Sequence, residues 1–124
     1  MESFSYRKLR VYQYSKTLVV SVYKILRQFP IEERFALCDQ LRRAVISIPS
    51  NIAEGASRTS PKEQLHFLEI AYGSLNEVMC QLELAKELDY IAQTQLKEIE
   101  EQYKAVAQML SGLRKSKQIE LAKH

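Results

Sequence analysis

Residues 40–58, QLRRAVISIPSNIAEGASR, carry a helical pattern of apolar residues straight through a proline, Pro49. A proline inside a helix removes one backbone donor and collides with the carbonyl four residues back, which costs about 3 kcal/mol. The apolar stripe nevertheless keeps its steps of three and four residues on both sides of the proline. Its members are Cys38, Leu41, Val45, Ile48 and Ile52. The unbroken phase predicts one continuous helix, kinked at Pro49, rather than two separate helices.

Small and polar residues surround this proline. Ser47 and Ser50 offer hydroxyl groups for hydrogen bonds near the kink, and Ile46 lies off the main stripe, where a monomer would expose it. The small residues would let another backbone approach closely; they are Ser47, Pro49, Ala53, Gly55 and Ala56. We interpret this surface as a contact with another copy of the chain, and packing within the chain is the alternative.

Three further amphipathic segments accompany this one. The first runs from Leu9 to the Phe29-Pro30 pair, and its two adjacent apolar stripes predict partners on two sides. The helix with the proline is predicted to begin near Pro30 or Ile31. The third helix begins at residues 60–63, SPKE, where a serine cap, a proline and a glutamate form a capping box. The fourth helix has a single apolar stripe: Leu96, Ile99, Tyr103, Val106, Leu110 and Leu113.

The composition favours the same fold class. With 124 residues the chain fits one domain, and three Gly, three Pro and no Trp are typical of helices rather than of a sheet. We therefore predict an all-α protein, a single domain over residues 1–124 that forms an antiparallel up-down-up-down four-helix bundle with a kinked second helix. Residues 115–124, a basic tail, either extend the fourth helix or remain loose.

Several classes of protein are disfavoured by what the sequence lacks. It shows no leader-like start and no apolar run of the roughly 20 residues that cross a bilayer, so a cytoplasmic protein is expected. Cys38 and Cys80 lack metal-ligand or redox spacing, and both are predicted to be buried, reduced thiols.

Candidate catalytic and metal-binding residues are few. Glu63 and His66 have the Glu-x-x-His spacing of di-metal bundles, but the motif occurs once and the other histidine is the terminal His124. No serine or cysteine has a histidine nearby in sequence, and the glycines do not form a phosphate loop. We predict no enzymatic activity, no cofactor and no metal.

A set of polar residues falls near the predicted interior of the bundle or a subunit interface. These residues are Arg43, Asn51, Glu54, Ser74 and Glu77. A glutamate among apolar neighbours needs a partner, which Arg43 or Arg42 could supply. We interpret the set as fixing helix register or subunit pairing, and ligand binding is the alternative. The predicted structural cluster or oligomer interface thus comprises Arg43, Ile46, Pro49, Asn51, Glu54 and Glu77.

Charge is distributed unevenly along the chain. The net charge is +3, but residues 1–30 carry +5, residues 31–58 are neutral, residues 59–90 carry −4 and residues 91–124 carry +2. An up-down-up-down bundle would bring the two basic chain ends together. The bases predicted to bind RNA or DNA phosphates there are Arg7, Lys8, Arg10, Arg114, Lys115, Lys117 and Lys123. A merely solvated basic end is the alternative.

Four segments resemble a known family. They are Phe29-Pro30 with Glu33 soon after, QLRRA at residues 40–44, SIPSNIAEG at residues 47–55, and AYGSLNE at residues 71–77. The chain resembles the four-helix-bundle proteins encoded in intervening sequences of bacterial 23S ribosomal RNA genes. That resemblance implies a ring-shaped homopentamer without an established enzymatic activity. The accessory proteins of diversity-generating retroelements are similar in fold and assembly and are associated with a reverse transcriptase and nucleic acid.

Two functional hypotheses follow. The first is a non-enzymatic homo-oligomeric scaffold that binds RNA or DNA phosphates through the basic end. The second is a helical adaptor for a nucleic-acid enzyme such as a reverse transcriptase, without direct contact with nucleic acid.

Overall fold

A computed structural model describes residues 5–123 of the chain. Within those residues it contains α1 (Arg10–Leu26), α2 (Leu37–Ser57), α3 (Pro61–Glu87) and α4 (Gln93–Ala122), with short 3-10 helices at Ser5–Lys8 and Ile31–Glu33. The described residues form no strand. The prediction of an all-α protein built on four helices is confirmed.

The four helices pack so that each one contacts two others. Each of them contacts the next along the chain, and α4 returns to contact α1. Between α2 and α3, Gln81 Nε2 donates to Gln40 Oε1 over 3.1 Å, and Ser74 Oγ donates to Ser47 Oγ over 2.8 Å. Positions that rise along one helix therefore meet positions that fall along the other, as expected for antiparallel neighbours in a bundle.

Glutamine side chains join α1 to α4. The amides of Gln28 and Gln95 exchange two hydrogen bonds, of 2.9 and 2.7 Å, at the end of α1 and the start of α4. Further along, Gln102 Nε2 donates to Ser21 Oγ over 2.9 Å. The contact between α1 and α4 thus has a polar edge beside its apolar centre.

The core lies along the axis of the bundle. The predicted α2 stripe is buried from Cys38 to Ile52, and several of its neighbours on the other helices are completely enclosed. They include Leu18, Val22, Leu75, Leu82, Val106 and Leu110. Each such side chain contributes about 1.5–3 kcal/mol when it leaves water, so this stripe provides much of the driving force for folding.

One of the two α1 stripes is buried along its length, and the other reaches the core only at Leu26. Val11, Leu18, Val22 and Ile25 are buried. The neighbouring stripe, which includes Tyr12 and Val19, packs only partly against the core. This half-buried edge of α1 faces α2 and leaves apolar surface in contact with solvent.

The predicted start of α2 was wrong. Residues 31–33 form a 3-10 turn, and the α-helix begins only at Leu37, after a non-helical Ala36 (φ −120°, ψ −100°). Glu33 accounts for this boundary, because its carboxylate accepts from the Leu37 N–H at 3.4 Å and from the Tyr90 hydroxyl at 2.7 Å. Glu33 therefore acts as a cap for α2, although it lies outside the helix.

Pro49 lies inside α2, which continues from Leu37 to Ser57 without interruption. Ile48 and Ile52, on either side of the proline, are completely buried. The prediction of one continuous helix is confirmed, and the kink stays a prediction.

The start of α3 follows a local signal, and the end of α4 lies within the basic tail. Ser60 Oγ accepts from the Glu63 N–H at 3.1 Å and Pro61 opens α3, which confirms the predicted start of this helix. At the other end of the chain, α4 extends to Ala122. Most of the basic tail therefore belongs to the fourth helix.

The two cysteines have different environments. Cys38 is buried, and this burial raises the pKa of its thiol. Cys80 is exposed, so the prediction that both thiols are buried was wrong for this residue. The reason is its register, since Val78, Met79 and Leu82 take the core-facing positions of α3 and leave Cys80 on the outer face.

Replacing two helical glycines with alanine should change the free energy of unfolding in opposite directions. A Cβ at Gly55 would lie 3.2 Å from the Gln64 carbonyl oxygen and 3.2 Å from Phe67 Cβ, whereas one at Gly73 meets nothing within 4 Å. We expect Gly55→Ala to lower the free energy of unfolding, because an overpacking cost of about 1–3 kcal/mol exceeds the gain in helix propensity. Gly73→Ala should raise it by about 0.5–1 kcal/mol. Urea unfolding of both variants checks this, and a stabilised Gly55→Ala would contradict the close approach of α2 to α3.

Candidate nucleic-acid interface and assembly surface

One end of the bundle collects the start of α1, the end of α2, the start of α3 and the end of α4. Leu9 and Lys117, which lie near opposite ends of the sequence, line a common cavity of about 210 Å³. Gly55 and Gln64 line the same cavity from the connection between α2 and α3. We call this region the basic end. It brings together the two chain termini from which the phosphate-binding bases were predicted.

Two of the seven predicted bases are engaged with carboxylates. Arg114 donates to both oxygens of Glu69 over 3.0 Å, and its guanidinium lies 4.2 Å from the centre of the Tyr72 ring. The hydrogen bond to Glu69 raises the pKa of Arg114. Lys117 pairs with Glu120 at 3.1 Å. Arg114 thus fastens the end of α4 to α3, since bidentate and stacked arginines are geometrically specific.

Four other predicted bases are exposed and take part in none of the ion pairs among residues 5–123. They are Lys8, Arg10, Lys115 and Lys123. Arg7 is exposed beside them. The guanidinium of Arg10 lies 5.6 Å from the centre of the half-exposed Tyr14 ring. Lys8, Arg10, Lys115 and Lys123 can therefore reach phosphate groups without first breaking an ion pair.

Arg58 and Lys62 belong to the basic end as well, and the sequence reasoning missed them. Arg58 pairs with Glu54 at 2.7 Å and lies 4.9 Å from the centre of the Phe67 ring. Lys62 is exposed in the first turn of α3. The signal was available, because in an up-down-up-down bundle the connection between α2 and α3 falls at the same end as the two termini.

A second surface lies beside Pro49, between α1 and α2. It is a groove of about 460 Å³, which we call the apolar groove, and its lining includes Tyr12, Val19, Val20, Ile46, Pro49 and Ala53. Ile46 is 44% exposed and Val20 is 52% exposed. The predicted exposure of Ile46 is confirmed, and it shares this groove with Pro49.

The predicted polar set is divided between two contacts. Asn51 and Ser74 meet through Ser47, since Asn51 Nδ2 lies 2.8 Å from the Ser47 carbonyl oxygen and 2.9 Å from its Oγ, while Ser74 Oγ donates to that same Oγ. This polar bridge ties α3 to α2 within one turn of Pro49. Glu77 instead accepts from Gln81 at 3.1 Å.

The proposed pairing of Glu54 with Arg42 or Arg43 is not what the structure shows. Glu54 is exposed and pairs with Arg58, whereas Arg42 pairs with Asp39 at 2.7 Å. Glu54 lies beside the buried stripe rather than on it, so water and Arg58 solvate its carboxylate. Arg43 is exposed on α2, one turn before Ile46. Its role at a subunit interface stays a prediction.

The described residues contain no group of three or more His, Cys, Asp or Glu side chains placed to hold a metal ion. Glu63 is occupied with Ser60, and His66 is exposed with its ring 5.1 Å from that of Phe67. His124 lies outside the described residues. Within the same part of the chain, no helix has both the length and the apolarity that crossing a membrane requires.

Residues 7–112 match the sequence model of the 23S rRNA-intervening sequence protein family. The chain belongs to this family. It is also similar to a protein of unknown function from the S23 ribosomal protein family of Bacteroides thetaiotaomicron VPI-5482, whose crystal structure was determined at 1.70 Å. The two share 27% identity with a TM-score of 0.76, over 85% of this chain and 98% of that one. No curated protein matches the sequence.

These comparisons confirm the resemblance carried by the four segments. They indicate no enzymatic family, because the family and the solved neighbour are both of unknown function. They add no catalytic residue to those considered above.

The polar bridge gives a second testable prediction. Ser47→Ala and Ser74→Ala should each lower the free energy of unfolding by about 1 kcal/mol, since each removes one partner of a shielded hydrogen bond. The double variant should lose less than the sum, with a coupling of about 0.5–1.5 kcal/mol in a double-mutant cycle measured by urea unfolding. Ser50→Ala, at an exposed position nearby, is the control and should change stability by less than about 0.5 kcal/mol. Additive losses would show that the two hydroxyls do not interact.

Proposed function

We propose that this family member is a non-enzymatic homo-oligomeric scaffold in the cytoplasm that binds RNA or DNA phosphates through its basic end. A single observation carries the proposal: at that end three carboxylates are paired with bases, whereas several exposed bases take part in no ion pair among residues 5–123. The carboxylates of Glu54, Glu69 and Glu120 are already paired with bases of the same chain. Lys8, Arg10, Lys115 and Lys123 are exposed and take part in none of the ion pairs among residues 5–123, so their charge is available for a ligand.

The available bases suit backbone recognition rather than sequence recognition. Lys8 and Arg10 lie on one chain terminus and Lys115 and Lys123 on the other, so they form a dispersed basic surface without a groove-reading element. Contacts from lysine and arginine to phosphates position a protein on nucleic acid without selecting a sequence. Binding should therefore be sensitive to salt and nearly indifferent to base composition.

Assembly would strengthen such binding. One chain offers a few phosphate contacts, and several copies in a ring would present the same contacts many times. A nucleic acid held by one copy then meets the next at a high effective concentration, which multiplies the affinity without any new contact. The family resemblance supports a pentamer as the form of this ring, and the apolar groove beside Pro49 supports an interface at α1 and α2.

The experiment is a titration with structured RNA at several salt concentrations. We expect the logarithm of the binding constant to fall linearly with the logarithm of the salt concentration, because binding releases counterions from the phosphates. Changing Lys8, Arg10 and Lys115 together to Gln should weaken binding and make the slope shallower by about one for each phosphate that the variant no longer neutralises. Arg114 is left unchanged because its loss would also free the end of α4.

The matched control carries Gln at Lys24, Arg27 and Lys97, three exposed bases at the opposite end of the bundle. It removes the same amount of charge and should leave both the affinity and the slope nearly unchanged. Equal losses in the two triple variants would mean that net charge, not the basic end, attracts the RNA. Absence of binding at low salt would contradict the proposal and favour the protein adaptor.

A further inference from the structure

Two apolar side chains project from the connection between α1 and α2. Phe35 is 82% exposed and Ile31 is 78% exposed, more than any other large apolar side chain among the described residues. Ile31 opens the 3-10 turn, and Phe35 follows it just before α2. We call this pair the apolar knob. The only ring contact of Phe35 within the described residues is with the guanidinium of Arg34, 5.6 Å from the ring centre. Leaving two such side chains in water forgoes a burial worth about 1.5–3 kcal/mol each.

The apolar groove offers the complementary shape. Its floor and walls come from Val19 and Val20 on α1 and from Ile46, Pro49 and Ala53 on α2. The compact ring of Pro49 lines the groove without extending into it as a longer side chain would. The groove is therefore an open apolar concavity on the half-buried edge of α1, large enough at about 460 Å³ to receive an aromatic side chain.

The knob cannot fill the groove of its own chain. Both belong to the α1–α2 side of the bundle, but nine residues of rigid helix separate Leu37, at the start of α2, from Ile46. At 1.5 Å per residue, this distance is about 13 Å along the helix axis. Contact between the two features requires a second molecule.

Charge favours a second copy of this chain as that molecule. Glu32, between the two knob residues in the sequence, is exposed and takes part in none of the ion pairs among residues 5–123. The groove carries Lys16 on its lining, and Arg43 is exposed on α2 one turn from Ile46. With two glutamates and one arginine, residues 31–35 carry a net charge of −1. A knob of net negative charge facing a basic groove steers the correct encounter and disfavours knob against knob.

We propose that Ile31 and Phe35 of one copy insert into the apolar groove of the next copy. The inference rests on the proposed homo-oligomer and specifies its contact. Because knob and groove are different patches, the contact is heterologous, and each copy uses its knob on one neighbour and receives the knob of another. Repetition of such a contact closes into a ring when the rotation between copies allows it.

Complementary variants test this contact through absolute mass measured by light scattering. Phe35→Asp removes the knob and keeps the groove, whereas Ile46→Asp blocks the groove and keeps the knob. We expect the wild type to have the mass of several chains and each variant alone to have the mass of one chain. An equimolar mixture should form a complex of two chains and no larger species, since it can make a single knob-in-groove contact.

Circular dichroism and thermal unfolding verify that each variant is folded. If Ile46→Asp does not fold, Val20→Asp takes its place. Val20 lies on the α1 wall of the groove, and its side chain is 52% exposed. Ile119→Asp is the control, because Ile119 is 48% exposed on α4 and belongs to neither feature. It should keep the wild-type mass and should not complement either variant.

The outcomes separate this inference from the proposed function. If the wild type is an oligomer but Phe35→Asp keeps the wild-type mass, or the mixture stays monomeric, the knob-in-groove contact is wrong and the scaffold stands. If the wild type is a monomer, the proposed assembly fails and the inference fails with it. RNA binding by the monomeric variants, weaker than that of the wild type, would agree with both.

Discussion

The structure depends on one constraint, which is that α2 must keep its apolar stripe buried while it passes Pro49. Leu41, Val45, Ile48 and Ile52 are completely enclosed, so a break at the proline would expose core surface worth several kcal/mol. That burial outweighs the cost of about 3 kcal/mol for a proline inside a helix. The polar bridge at Ser47 and the apolar groove lie on other faces of this same stretch, and both need the helix to remain continuous.

Local signals were sufficient for much of the fold. The stripe of α2, the serine cap at Ser60 and the single stripe of α4 depend on residues within three or four positions of one another, which a sequence displays directly. Two features, one predicted wrongly and one left open by the sequence, depend on contacts far apart in the chain. The start of α2 is set by Glu33 together with Tyr90, and the extent of α4 is supported by Arg114 on Glu69, across 57 and 45 positions respectively.

For the candidate surfaces too, some features could be predicted from the sequence and others depended on the folded structure. The basic end could be predicted because helix connectivity alone decides which termini meet. The sequence could not predict which bases at that end are available to bind phosphate. That depends on whether a carboxylate such as Glu69 or Glu120 lies within reach of the base on the folded chain. The apolar knob was also missed. Ile31 and Phe35 were assigned to a helix predicted to begin near Pro30 or Ile31, and only the 3-10 turn shows that both project from a connection instead.

The reciprocal amide pair of Gln28 and Gln95 has a consequence for how the protein responds to its surroundings. Neither amide ionises or carries a net charge, so a change of pH or ionic strength leaves this fastening of α1 to α4 almost untouched. The phosphate contacts proposed for the basic end would be weakened by the same rise in salt. Salt would thus act on the proposed phosphate contacts alone, while the framework that positions the bases stays in place.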